Sequence, residues 1–196
     1  MTTPRGRFKG AAGVSMTLAA GALVVVAPTS MPPAAAGPRQ FPDLGSYRAV
    51  NADDYTTYHS YMTAGVQFAT PGGYRCRMSF THKQNGAHMQ CWGSLPGTSF
   101  NHVGLDYLGG ATTAGAAFSD VDLSQIETVP PGPGVAGGTI NPQDYKPLPP
   151  HSKVTYTDGP LQTCAVDSAM TACETTDQEF GQQHGFVLSP AGSWTF

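Results

Sequence analysis

From Tyr74 to Thr81 the chain alternates without a break: Tyr74, Cys76, Met78 and Phe80 are apolar or sulfur-bearing, and Arg75, Arg77, Ser79 and Thr81 are polar. A period of two predicts a strand with one apolar and one polar face. A second such run, residues 87–92, carries its own cysteine at Cys91, and Asn85-Gly86 supplies turn chemistry between the two. Folding the runs antiparallel so that Cys76 meets Cys91 sets Met78 opposite Met89 and Phe80 opposite Ala87. The other face then carries Arg75 opposite Trp92, Arg77 opposite Gln90 and Ser79 opposite His88. Cys164 and Cys173 close a shorter predicted hairpin around residues 167–170.

The rest of the pattern is coarser. Residues 66–80 and 87–92 read as strands, as do 153–156, 161–166, 171–175 and 185–188. Residues 104–118 are rich in Gly, Ala and Thr and hold no helical period. One short helix is expected to begin at Ser119, with its hydroxyl as cap and Asp120 and Asp122 at the positive end. Residues 129–150 contain seven prolines and four glycines, which resist helix and central strand. Trp194 and Phe196 at the carboxyl end are too apolar to float, so the tail is expected to dock on the sheet.

A weak echo runs through the chain. Val50-Asn51-Ala52-Asp53-Asp54-Tyr55 resembles Ile140-Asn141-Pro142-Gln143-Asp144-Tyr145, and each is followed by a Thr-x-Gly turn and a cysteine pair. Asn and Asp in such a run bond nearby backbone, so a structural role is the expectation for both. The organisation expected is a signal segment over 1–36, a polar arm over 37–65, a first β lobe over 66–128, a Pro/Gly-rich connection over 129–150 and a second lobe over 151–196. The fold class is mainly β: a small disulfide-stapled antiparallel protein with two related hairpin lobes and long Pro/Gly-rich loops.

The amino-terminal segment changes the picture of where this fold works. Arg5, Arg7 and Lys9 precede an uncharged stretch from residue 10 to 27, and Ala34-Ala35-Ala36 offers a small-residue cleavage site. That is the layout of a secretory signal peptide; retention as a membrane anchor is the alternative. The whole chain has net charge −3, and losing those three cations leaves seven basic against thirteen acidic side chains. An acidic mature chain argues against a general nucleic-acid binder. No later stretch is apolar enough to span a membrane once the signal is cleaved. Export also suits an even cysteine count. Four cysteines allow three connectivities; the hairpin register favours Cys76 with Cys91 and Cys164 with Cys173. Their spacing is not that of a zinc site.

Phe68-Ala69-Thr70-Pro71-Gly72 before Cys76 and Cys91, then Leu148-Pro149-Pro150, Gly159, Cys164, Cys173 and the ending His184-Gly185-Phe186-Val187-Leu188-Ser189, resemble a group of small exported proteins of unknown function from actinobacteria, mycobacteria above all. The chain departs from their pattern at Gln183 and Pro190. The resemblance implies export, two disulfides and a β-rich fold, and no reaction.

Enzyme signatures are missing. There is no His-Glu-x-x-His and no Gly-x-Ser-x-Gly, and the cysteines serve disulfides better than nucleophilic attack. Asp120 with Asp122 lacks a cation-loop pattern, and Asp53-Asp54 are adjacent rather than facing across a bond. No cofactor and no metal is expected. The strip formed by Arg75, Arg77, His88 and Trp92 is the candidate binding surface, because arginine and tryptophan are enriched where partners dock. The expectation is therefore a secreted or cell-envelope binding module without catalysis, acting on an unidentified envelope or extracellular ligand. Two alternatives stand beside it: a secreted hydrolase built from distant residues such as His102, Asp106 or His184, and a structural wall component.

Overall fold

The computed structural model describes residues 39–108, 115–177 and 181–196. The expected signal segment, residues 1–36, lies outside the described residues. In chain order the strands are β1 (Arg48–Ala49), β2 (Tyr58–Ser60), β3 (Thr63–Ala69), β4 (Arg75–Thr81), β5 (Gly86–Trp92), β6 (His102–Leu108) and β7 (Ala117–Ser119). After one helical turn, α1 (Leu123–Ile126), follow β8 (Thr128–Val129), β9 (Gly138–Thr139), β10 (Ser152–Tyr156), β11 (Leu161–Val166), β12 (Thr171–Thr176), β13 (Gln183–Leu188) and β14 (Trp194–Thr195). They make a first sheet in the order β2-β3-β4-β5-β6-β7, a second in the order β1-β10-β11-β12-β13-β14, and a β8–β9 ribbon. The protein is mainly β, antiparallel apart from β1 on β10, and stapled by Cys76–Cys91 and Cys164–Cys173.

The hairpin registers are those that the alternation dictates. Cys76 faces Cys91, Met78 faces Met89 and Phe80 faces Ala87, and Cys164 faces Cys173. Each disulfide joins the middle strands of a four-stranded meander, β3 to β6 or β10 to β13. The row Phe68, Cys76, Cys91, Val103 crosses the first meander. The row Val154, Cys164, Cys173, Phe186 crosses the second. The echo segments also match: Asn51 Oδ1 accepts from the Asp53 N–H at 3.2 Å and Asn141 Oδ1 from the Gln143 N–H at 3.0 Å, each capping a 3-10 turn.

Both cysteine rows point inward. Val66, Phe68, Met78 and Phe80 from the first sheet share one core with Val154, Cys164, Phe186 and Leu188 from the second. Met89 Sδ lies 3.9 Å from Cys164 Sγ across the middle. Three polar side chains are tied from one sheet to the other across this core, although Gln162 Oε1 is left without a partner. The Tyr74 hydroxyl donates to Thr171 Oγ1 at 2.6 Å, the Tyr156 hydroxyl to the Ala64 carbonyl at 3.0 Å, and Gln162 Nε2 to the Ser79 carbonyl at 3.3 Å. Burial, aided by Asp158, pushes the Tyr156 phenol up to about 12, so it stays a donor throughout the physiological range. The two related hairpin units are thus the two sheets of one sandwich.

Several local expectations shift. The run 66–80 is two strands, β3 and β4, parted by a turn at 70–73 in which Thr70 Oγ1 donates to the Tyr74 carbonyl. Within the expected polar arm over 37–65, Leu44 and Tyr47 pack on Ala165, Ala172 and Val187 of the second sheet's outer face. Ser119 does not cap the helix, because it ends β7 and its hydroxyl is bound to His102. Asp122 caps instead, accepting from the Ser124 N–H at 3.0 Å. The tail docks as expected: β14 pairs with β13, and the Phe196 ring sits 5.0 Å from that of Phe41. A Cβ on Gly185 would stand 2.1 Å from the Cys173 carbonyl oxygen and 2.9 Å from the Phe196 ring, so the glycine of the terminal Gly-Phe-x-Leu-Ser run serves packing.

Candidate functional site

The outer face of the first sheet carries the polar half of the alternation, and it is divided in two. At one end stand Arg75, Arg77 and Trp92, with Arg75 opposite Trp92 and Arg77 opposite Gln90 as read from the sequence. This end is closed. Trp92 is 1 % exposed and Arg77 3 %. The chain from α1 to Tyr145 lies over them, and Ile140 and Tyr145 pack on the indole. The Arg77 guanidinium gives two 3.2 Å bonds to the Ile126 carbonyl and one of 3.3 Å to Gln67 Oε1. It also lies 3.9 Å above the Tyr58 ring and 5.0 Å from Trp92. Burial lowers its affinity for a proton, but an arginine keeps its charge at any working pH; carbonyl and ring faces supply the compensation. Arg75 pairs with Glu127, which also accepts from Trp92 Nε1 at 3.2 Å. These three residues therefore clamp the chain's own 123–145 segment, and an incoming partner finds Trp92 and Arg77 covered.

The other end is open. Here the strands from β2 to β7 line a concavity of about 420 Å³, with Arg77, Ser79, His88, Gln90, His102, Asp106 and Ser119 among its walls. That volume is in the range of small-ligand sites. His88, the one member of the expected strip on this side that reaches solvent, holds Asp106 through Nδ1 at 2.8 Å. That bond is the main reason the Asp106 carboxyl sits below the ordinary carboxylate range. Asp106 itself is 79 % exposed in its side chain.

Deeper in the concavity, His102 Nδ1 lies 2.9 Å from Ser119 Oγ and its Nε2 3.1 Å from Gln90 Oε1. Gly104 makes this possible. It stands in the ladder between Gln90 and Ala117, and a Cβ there would lie 2.7 Å from His102 Cε1. The imidazole thus lies across the glycine to reach Gln90. Burial holds the His102 pKa below its usual value against the opposing pull of Asp106, so the ring is neutral at neutral pH.

This has a consequence for stability. Below pH 6.5, the ordinary histidine value, the unfolded chain takes up a proton that folded His102 resists, so stability falls as pH drops from there through the lowered folded value. Asp106 acts in another window: its contribution is lost only as pH falls below 3.8. Denaturant midpoints are expected to fall less between pH 7 and 5.5 for His102→Gln than for wild type. The difference isolates His102 from Glu174, whose burial-raised carboxyl works the opposite way above 4.5. Equal slopes for the two proteins would remove the assignment.

His102 and Asp106 come together in this concavity as the hydrolase alternative supposed, but His184 does not. It lines a separate cleft of about 10 Å³ with Tyr107 and Asp177. Ser119 and Gln90 were not singled out from the sequence as site residues. A signal was there: His102, Gly104 and Asp106 alternate with Val103, Leu105 and Tyr107, a strand pattern inside a stretch whose Gly/Ala/Thr content hid it.

The twin sheet gives this face a comparison from within the molecule. Aligned on the disulfides, the row Gln67, Arg77, Gln90, Gly104 corresponds to Lys153, Ala165, Ala172, Val187. On the second sheet this row is largely apolar and is roofed by Leu44 and Tyr47. On the first it is polar, and Arg77, Gln90 and Gly104 of this row line the concavity. The roof on the second sheet is partial: beside Leu44, the side chains of Lys153, Thr155, Thr163 and Glu174 line a second hollow of about 470 Å³ on that face.

Fold and site together define the protein as a doubly stapled β-sandwich with a polar concavity on the outer face of its first sheet. No family model, curated protein or solved structure matches the chain. Among the described residues no helix is long and apolar enough to cross a membrane, and no group of three His, Cys, Asp or Glu side chains is placed to hold a metal ion.

Proposed function

We propose that this chain is an exported binding module of the cell envelope or extracellular space, and that the concavity of the first sheet is where it takes its ligand. The single observation behind this reading is the make-up of that concavity, where His88, Gln90, His102, Asp106 and Ser119 converge around about 420 Å³. Two persistent disulfides fit an oxidising compartment, and the layout of residues 1–36 fits export. The resemblance to small actinobacterial exported proteins belongs to the same proposal. Of the expected strip, His88 contacts ligand and Arg77 stands in the same wall, whereas Arg75 and Trp92 act from behind by holding the 123–145 segment in place.

The test uses His88→Ala with Asp106→Ala, since this pair lies at the surface and its loss leaves the core intact. Oxidised protein is immobilised and presented with fractionated envelope polymers and soluble glycans from the producing cell. Capture by the double variant is expected to fall tenfold or more, equivalent to about 1.4 kcal/mol. Unchanged capture by a folded double variant would sink the site.

A further inference from the structure

Within the concavity, Ser119, His102 and Gln90 stand in the order nucleophile, base and orienter. Ser119 Oγ is 2.9 Å from His102 Nδ1, and His102 Nε2 is 3.1 Å from Gln90 Oε1. An amide oxygen only accepts, so Gln90 fixes the imidazole proton on Nε2 and leaves the Nδ1 lone pair for the serine O–H. We propose that Ser119 is an acyl-accepting nucleophile, with His102 as its general base, and that the concavity hydrolyses short-chain carboxylic esters.

This goes beyond ligand capture and uses the same concavity. Geometry meets the first two requirements of an activated nucleophile: a bond from nucleophile to base, and one from base to an orienting group. Burial adds the third by keeping the base unprotonated near neutral pH. Gly104 and Ala117, side by side in the ladder, present no bulky side chain beside the pair. The walls are hydroxyl-rich: Thr63 and Thr81 share a 2.8 Å bond, and Ser79 stands beside them. Such a lining suits a short acyl group on a hydroxylated carrier and offers little to a long lipid chain.

The chemistry balances without any further reagent. Ser119 Oγ attacks the ester carbonyl carbon while its proton passes to His102 Nδ1. The bond to the leaving oxygen breaks, and that oxygen takes the proton and departs as the alcohol. Water then attacks the acyl-serine carbonyl and gives a proton to Nδ1. The acid leaves as Ser119 Oγ recovers that proton. Gln90 touches neither substrate nor the reacting atoms and is a positioning residue.

The oxidised protein is incubated with a fluorophosphonate, which traps activated serines, and mapped by peptide mass spectrometry; p-nitrophenyl acetate reports turnover. The expected adduct is on Ser119 and is absent from Ser119→Ala. Its formation is expected to slow on the order of 100-fold in His102→Gln, the usual share of a general base. Gly104→Ala, which pushes the imidazole aside while leaving all three polar residues in place, is expected to slow it as well. Gln90→Ala is expected to shift the pH profile of labelling, which a purely structural glutamine would leave unmoved. No adduct on Ser119 in folded protein at saturating probe, or equal labelling rates with and without His102, overturns the proposal. Capture without labelling spares the binding reading and sinks this one; labelling without capture does the reverse.

Discussion

Trp92→Ala is expected to cost about 3–5 kcal/mol of unfolding free energy, the usual range for truncating a fully buried large aromatic. The indole is 1 % exposed. It packs with Ile140 and Tyr145, and its ring meets that of Tyr145 edge-on at a centroid distance of 5.9 Å. Its Nε1 donates to Glu127, which also holds Arg75. Removing it opens a cavity beneath the 123–145 segment and leaves Arg77 with one aromatic face fewer. Against a total stability of about 5–15 kcal/mol for a domain, that loss is large. Trp92→Phe keeps most of the packing and gives up one hydrogen bond, about 1 kcal/mol. Urea unfolding followed by circular dichroism measures both. A Trp92→Ala protein as stable as wild type would mean that the indole is a surface ligand contact after all.

The second large effect concerns the staples. Converting Cys76 and Cys91 together to serine is expected to lower stability by about 3 kcal/mol, the loop-closure value for a span near 15 residues, and the shorter Cys164–Cys173 span slightly less. Losing both would take away much of a typical domain's stability and leave an expanded, dye-binding state. All four cysteines are completely buried, so a reductant reaches the bonds only when the sandwich opens. The rate of reduction by dithiothreitol is therefore expected to rise steeply with urea, in step with unfolding. Rapid thiol release from protein that keeps its native spectrum would contradict the placement of both bonds in the shared core.

The same residues show how far the sequence could be read. Cys76, Met78 and Phe80 against Arg77 and Ser79 gave a face, a register and a disulfide, because strand periodicity is local and a one-residue slip would turn every side chain over. That reasoning says which residues share a face. It does not say what lies on top. Arg77 and Trp92 were assigned to the polar face correctly, yet residues 123–145, more than thirty positions along the chain, close over them. Ser119 failed for a related reason: serine before Asp120 and Asp122 is a fair helix start, but a ladder partner at His102, seventeen residues earlier, claimed its hydroxyl.

Local alternation and cysteine spacing thus determined, unaided, that this is a mainly β chain with two neighbouring disulfides and two related hairpins. Only the tertiary structure decided that those hairpins press their cysteine faces together, that residues 40–49 roof part of one sheet, and that His88, Gln90, His102, Asp106 and Ser119 remain around an open hollow on the other. The physical reason is range. Pleat and register are set by neighbours along the strand, whereas burial is set by whichever distant segment comes to rest on the finished surface.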